Sequence, residues 1–375
     1  MINNKLIALS LITITVIVAA TIFANLRAPQ SDKQKASFFP ELTKQIESVN
    51  YISIKGYNDS INLTRKNDIW GIDEFDGYPA LPEKIKSAVL GAADLKINAS
   101  KTALPRLYHR LGVEGPEIED TASLLLTLSD SNQNKIIEVI VGKPRLSSSA
   151  KNTSGLYVRE PEKEKSYLVD GVLDISAIKT DWIKRSLFDI PAEAVKSVSV
   201  SHADGDSYTL YKNEKGQEYF ELEDMPNNQE LASELIINRF GTILQDLQIS
   251  GARLLDDEPG RKGNEANVFA INSLTRLDST IKVMTFEGIV VRITSFKHDG
   301  IAYASFKFSY DEEIGKNNNE EEVKNEDVKT YIANLNLDTK NWWFEIPEFK
   351  YDIIKTRSNK ITRDIQKITP EEIIE

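Results

Sequence analysis

The 375-residue sequence predicts an α+β protein: one N-terminal transmembrane helix, then two tandem, duplicated β-rich units, each an antiparallel sheet with packed helices. Three observations carry this expectation. An uncharged apolar run opens the chain, an order of three short strands and a helix follows, and the same order recurs about 150 residues later.

No charged residue lies between Lys5 and Arg27, and Leu6 to Leu26 is mostly Leu, Ile, Val and Ala. At ~1.5 Å per residue this run spans roughly 30 Å, the thickness of a hydrocarbon core. Residues 1–5 are therefore expected as a cytoplasmic tail and 6–26 as the membrane span. The rival reading is a cleaved signal peptide, with Lys5 as its basic region and Val18-Ala19-Ala20 as the cleavage site. The apolar run continues to Phe23, beyond the ~7–15 residues of such a segment, so retention is expected. Lys5 is balanced by Arg27, Lys33 and Lys35, so flanking charge does not choose an orientation. The remaining chain has no second apolar span. The expected location is thus a bacterial inner membrane, crossed once, with the soluble body in the periplasm.

The chain has no cysteine, which removes disulfides, thiolate metal sites, cysteine nucleophiles and a lipidated cysteine. Asp and Glu outnumber Lys and Arg by 57 to 46, and the net charge of −11 argues against nucleic acid as a partner.

The first unit is placed at 36–190. Val49 to Ile54 alternates, turns through Gly56-Tyr57-Asn58-Asp59 and alternates again over Ile61 to Arg65, with a third strand at Ile69-Trp70-Gly71-Ile72. Leu81-Pro82 then opens a helix carrying Ile85, Ala88, Val89, Ala92 and Leu95 on one face. The second unit, 191–358, repeats the order. Val198 to Val200 precedes the Asp204-Gly205-Asp206 turn, strands follow at Tyr208 to Lys212 and Tyr219 to Leu222, and a helix is expected from about Gln229 with Leu231, Leu235, Ile236, Phe240, Ile243, Leu244 and Leu247. Both helices end on a tetrad, Asp94-Leu95-Lys96-Ile97 and Asp246-Leu247-Gln248-Ile249, and Trp70 and Phe220 fall at equivalent places. Apolar strand pairs follow in each unit: Leu124 to Leu128 with Ile136 to Val141, and Ile281 to Phe286 with Ile289 to Ile293. The run 311–327, rich in Asn, Glu and Lys, reads as a solvated insertion, and 359–375 as a C-terminal tail, which from Ile361 is either a helix with Ile365 and Ile368 available for docking or a frayed end.

The sequence singles out no catalytic, cofactor-binding or metal-binding residue. His109, His202 and His298 lie in separate segments, and no phosphate loop, dinucleotide fingerprint, His-Glu-x-x-His or Gly-x-Ser-x-Gly element occurs. Ser148 and Lys151 satisfy Ser-x-x-Lys, but in a Ser-rich loop and without the partner motifs of acyl-transfer enzymes. The carboxylate pairs Glu221/Glu223 and Asp204/Asp206 read as the wet side of a sheet and turn. Trp70 and Trp182 are expected in the cores, and whichever of Trp342 and Trp343 points outward is the best candidate for a contact surface.

Phe39-Pro40-Glu41-Leu42, Val49-x-x-Ile52-x-Ile54, Leu63-x-Arg65, Trp70-x-Ile72 and Tyr78-Pro79-Ala80 follow the anchor. With Tyr108, Leu111-Gly112-Val113, Val141-Gly142, Tyr157-Val158-Arg159 and Trp182, they make the chain resemble the bacterial domain-of-unknown-function 4340 family. The resemblance covers most of the chain, is strongest before Asp189 and imports no catalytic residue. It implies a membrane-tethered extracytoplasmic partner of an ABC-type permease and ATPase, whose auxiliary subunit is similar to gliding-motility transport proteins. The expected function is thus a non-enzymatic accessory or scaffold subunit without cofactors. The alternative is an independent periplasmic binding module for cell-envelope glycan or peptide.

Overall fold

The computed structural model describes residues 35–145, 155–255, 277–318 and 322–365. Two large antiparallel sheets dominate it. The first is built from β1 (Tyr51–Lys55), β2 (Ser60–Lys66), β3 (Ile69–Ile72), β4 (Tyr78–Pro79), β5 (Lys96–Ser100), β6 (Leu124–Ser129), β7 (Lys135–Arg145), β8 (Gly155–Arg159) and β9 (Ser166–Asp170), in the order β4-β3-β2-β1-β6-β7-β8-β9-β5. A short strand β10 (Ser186–Phe188) leads to the second half of the chain. There follow β11 (Val195–His202), β12 (Ser207–Tyr211), β13 (Glu221–Leu222), β14 (Gln229–Leu231), β15 (Leu247–Gln248), β16 (Gly251–Leu254), β17 (Ser279–Thr285), β18 (Ile289–His298), β19 (Ile301–Tyr310), β20 (Trp342–Glu345) and β21 (Thr362–Asp364). The second sheet runs β13-β12-β11-β17-β18-β19-β20-β16, while β10 pairs with β15 and β14 with β21. Read strand by strand, the eight strands of the second sheet follow the order of the first, which has β4 in addition; in each, a mid-chain strand that follows a helical segment, β5 or β16, forms the far edge beside the last strand.

Period-two alternation explains both sheets. Ile52, Ile54, Ile61, Leu63, Leu126 and Leu128 are buried from the first, and Val198, Val200, Leu210, Ile281, Val283, Val291 and Ile293 from the second. These residues belong to one continuous core. Its seam is aromatic. Tyr78 meets Trp342 edge-on at 5.0 Å and Phe344 at 5.9 Å, and Phe188 meets Phe306 and Phe308 at 5.1 and 5.2 Å. Arg253 Nη1 adds a polar tie, donating to the Glu74 carbonyl at 2.7 Å.

Helices are subordinate: α1 (Pro40–Gln45), α2 (Pro82–Ala93), α3 (Tyr108–Leu111), α4 (Glu234–Asn238), α5 (Glu312–Asn318), α6 (Glu322–Thr339), α7 (Glu348–Ile354) and α8 (Ser358–Ile361). This corrects the expected fold class. Among the described residues no helix is long and apolar enough to cross a membrane, and the run 6–26 read as a transmembrane helix lies outside them. The α+β reading holds only in part, because most helices span one or two turns and the sheets supply most of the core.

Local expectations fare unevenly. The proline-started helix is present as α2, burying Ile85, Ala88, Val89 and Ala92. The helix expected from Gln229 is not continuous: residues 229–231 are β14, α4 follows, and Arg239–Leu244 is a 3₁₀ segment. Phe240, Ile243 and Leu244 are buried while Leu235 is 81% exposed, so its apolar residues do not form one buried stripe. Within the run 311–327, the described residues after Asp311 are helical, in Glu312–Asn318 and from Glu322 onward. Asp311 Oδ1 accepts the backbone amides of Glu313 and Ile314 at 3.1 Å, starting α5. Thr362 to Asp364 of the expected helical tail is a strand, and residues 366–375 lie outside the described chain.

Motifs that carried the family resemblance meet at one place on the outside of the first sheet. Gly112 ends α3 in the left-handed region, with φ of 66°. Gly142 lets that turn approach β7, since a Cβ there would stand 2.5 Å from the Leu111 carbonyl oxygen. Buried Arg159 lies 4.5 Å from the Tyr108 ring centre and donates from Nε to the Val113 carbonyl at 3.0 Å. This is a structural knot, with backbone carbonyls satisfying the guanidinium.

Candidate binding face of the second sheet

The residues that alternate outward from the second sheet are chiefly hydroxylated or cationic. Register places Thr209, Ser199, Lys282, Arg292 and Lys307 side by side across β12, β11, β17, β18 and β19. Ser207, Ser201, Thr280, Thr294 and Ser305 form the adjacent row. Neighbouring strands lie roughly 4.8 Å apart, so the three cations are held close together. All three are exposed. None has an ion pair or side-chain hydrogen bond among the described residues.

Lys282 and Arg292 line an open cleft of about 730 Å³ together with Ser199, Ser201, Thr209 and Thr280. Leu222, the carboxylates Glu223 and Asp224, Pro226 and Gln229 build its far side with Ser358, Asn359, Ile361 and Thr362. Pairing of β12 with its outer neighbour runs through Leu210 and Tyr211, and the Glu223 amide donates to the Thr209 carbonyl at 2.9 Å. Beyond that point Ser207 faces the cleft from an edge that no strand covers among the described residues.

The chain segment around α8 is latched to the β11–β12 hairpin. Arg357 Nη1 donates to both oxygens of Asp204, at 2.5 and 2.6 Å, and the Ser358 amide donates to Asp206 at 3.1 Å. The Tyr208 hydroxyl donates to the Thr356 carbonyl at 2.7 Å, and His202 Nε2 lies 2.9 Å from the same oxygen. The Arg357 hydrogen bond holds the Asp204 carboxyl below its ordinary value. Burial pushes the Asp206 carboxyl up, but Ser358 with the charges of His202 and Arg357 outweighs it and leaves the carboxyl lowered. Burial, followed by the Asp206 charge, raises the Tyr208 phenol.

The Asp204/Asp206 pair read from the sequence thus fastens a chain segment. Glu221 serves a similar local purpose, accepting from Tyr211, Asn213 and Gln217 at 3.1, 3.1 and 3.0 Å. The three histidines stay apart: His109 is exposed on α3, His202 is in the latch, and His298 lies 3.3 Å from Asp299. No group of three His, Cys, Asp or Glu among the described residues is placed to hold a metal ion. Ser148 and Lys151 lie outside the described residues.

The tryptophans divide differently from expectation. Trp182 is fully buried, with Nε1 donating to the Ser176 carbonyl at 2.9 Å. Trp70 is half-buried at the core margin. Trp343 is buried against Phe296 and Tyr303, and Trp342 packs in the seam on Tyr78, so neither is a free platform. No local sequence pattern marks the cationic face, because Lys282, Arg292 and Lys307 lie 10 and 15 positions apart and only the register unites them.

A family model described as domain of unknown function (DUF4340) matches residues 70–267, more than half of the chain. The match begins in β3 and extends past β16, so it includes the join between the two sheets. No curated protein and no solved structure matches the chain.

Proposed function

The chain belongs to the domain-of-unknown-function 4340 family, and from that premise we propose that it is a non-enzymatic accessory or scaffold subunit of an ABC-type transporter assembly on the extracytoplasmic side. The observation that carries this reading is the shared core. Two like-ordered sheets joined by the Tyr78–Trp342 and Tyr78–Phe344 contacts make one body with two broad outer faces. Such a body suits the spacing and presentation of surfaces. The cleft on its second sheet is an open groove, and the neighbouring Asp204 and Asp206 are engaged in structural hydrogen bonds.

The proposal is tested by purifying tagged full-length protein from its native cells. A transporter ATPase and permease are expected to accompany it in fixed proportion. Recovery of the chain alone under gentle extraction would contradict the assignment. Protease added to cells with a permeabilised outer membrane is expected to reach the body; protection until the cytoplasm is opened would reverse the assigned side.

A further inference from the structure

We infer that the cleft on the outer face of the second sheet binds an acidic, partly apolar polypeptide segment, with Lys282 and Arg292 receiving its carboxylates. The first support is a charge reversal between equivalent places. In the first sheet the row that corresponds to Thr209–Ser199–Lys282–Arg292 is Asn62–Ser53–Thr127–Glu138. There Glu138 is answered by Lys135 at 2.7 Å and by the Thr127 hydroxyl at 3.4 Å. In the second sheet two adjacent cations replace that satisfied set, and Lys307 extends the row. Like charges placed directly across a strand pair repel, so an anion laid over them removes a cost that the free face carries. Glu223 and Asp224 stand on the far side of the same cleft, so an incoming carboxylate is received on the Lys282–Arg292 side, away from them.

The lining selects the kind of acid. Leu222, Pro226 and Ile361 border the cleft beside its hydroxyls, and the uncovered edge at Ser207 offers backbone pairing to an extended chain. A saccharide would gain most from an aromatic ring laid flat along the groove. Tyr208 does not supply one, because its hydroxyl is bound to Thr356 and its ring meets Phe240 edge-on at 5.9 Å. Binding of such a segment does not require a transporter assembly, so this inference and the proposed function fail separately.

The probe is a short fluorescent peptide alternating Glu and Leu, titrated by anisotropy into the full-length chain. Saturable binding that weakens as salt rises is expected. The double variant K282T/R292E, which installs the first sheet's residues, is expected to bind at least about tenfold more weakly, and Lys307→Glu, at the row's end, to lose less. On the unaltered protein, a carbodiimide should join the peptide's carboxylates to the Lys282 amine, as read by peptide mapping. That measurement is independent of how the variants fold. Absence of binding, equal affinity of the folded double variant, or crosslinks that avoid Lys282 would overturn the inference. Preference for an oligogalacturonate or for inorganic phosphate over the peptide would overturn its ligand class.

Discussion

In the first sheet, the neighbouring strands β6 and β7 carry Thr127 opposite Glu138, and Lys135 closes the charge locally; at the same place in the second, β17 and β18 carry Lys282 opposite Arg292. The inward residues on either side of these positions differ little. Leu126 and Leu128 correspond to Ile281 and Val283, and all four are buried. The contrast separates two constraints. Burial fixes apolar character on one side of each strand, while the other side is free to change sign.

The largest test of this correspondence concerns the core. Trp70 and Phe220 stand at equivalent places in the sequence pattern, yet only Phe220 is fully buried. Phe220→Ala is expected to cost about 3–5 kcal/mol in urea unfolding, and Trp70→Ala about 1–2 kcal/mol. Equal losses would show that the two positions are energetically interchangeable after all.

Next comes the knot that the first sheet has at Tyr108 to Val113. Arg159→Ala removes donors to the Val113, Pro161 and Lys163 carbonyls and the cation over Tyr108. A loss of about 2–4 kcal/mol is expected, with hydrogen exchange rising first in residues 105–113. Exchange that rises uniformly through both sheets would refute a local brace.

Smaller again is the seam. Arg253→Ala deletes the hydrogen bond to the Glu74 carbonyl and the approach to Asp76, 3.8 Å away. About 1 kcal/mol is expected, since the side chain is partly exposed. The aromatic contacts should keep unfolding a single transition; two separated transitions would show that the polar tie, and not the core, couples the sheets.

The smallest effect is in the latch. Asp204 is held below its ordinary value of 3.8 by Arg357, so its contribution is fully present above that value and lost as pH falls through the lower folded value. Asp204→Asn should remove this acid-side dependence and expose the Thr356–Ile361 segment to exchange at neutral pH. An unchanged acid profile would assign the dependence to other carboxylates.

How much of this was legible in the sequence follows from the range of the interactions. The hairpins, α2 and the recurrence of strand order rest on local alternation and on Pro82, and these signals are strong within short windows. The segment from Gln229 misled because its apolar residues satisfy a helical pattern, while pairing of β14 with the distant β21 captured its start. Trp342 and Trp343 face opposite sides of β20, as alternation requires, but the neighbours that cover both come from elsewhere in the chain. The candidate face depends on register among five strands, and no local pattern encodes it.

The contrast between the two faces is tested most directly in cells, with a photo-crosslinking side chain placed at position 209, which lines the cleft, or at its equivalent position 62 in the first sheet. A partner adduct containing a transporter subunit is expected from 209, and little or none from 62. Adducts from 62 alone, or equal adducts from both, would contradict the assignment of recognition to the second sheet.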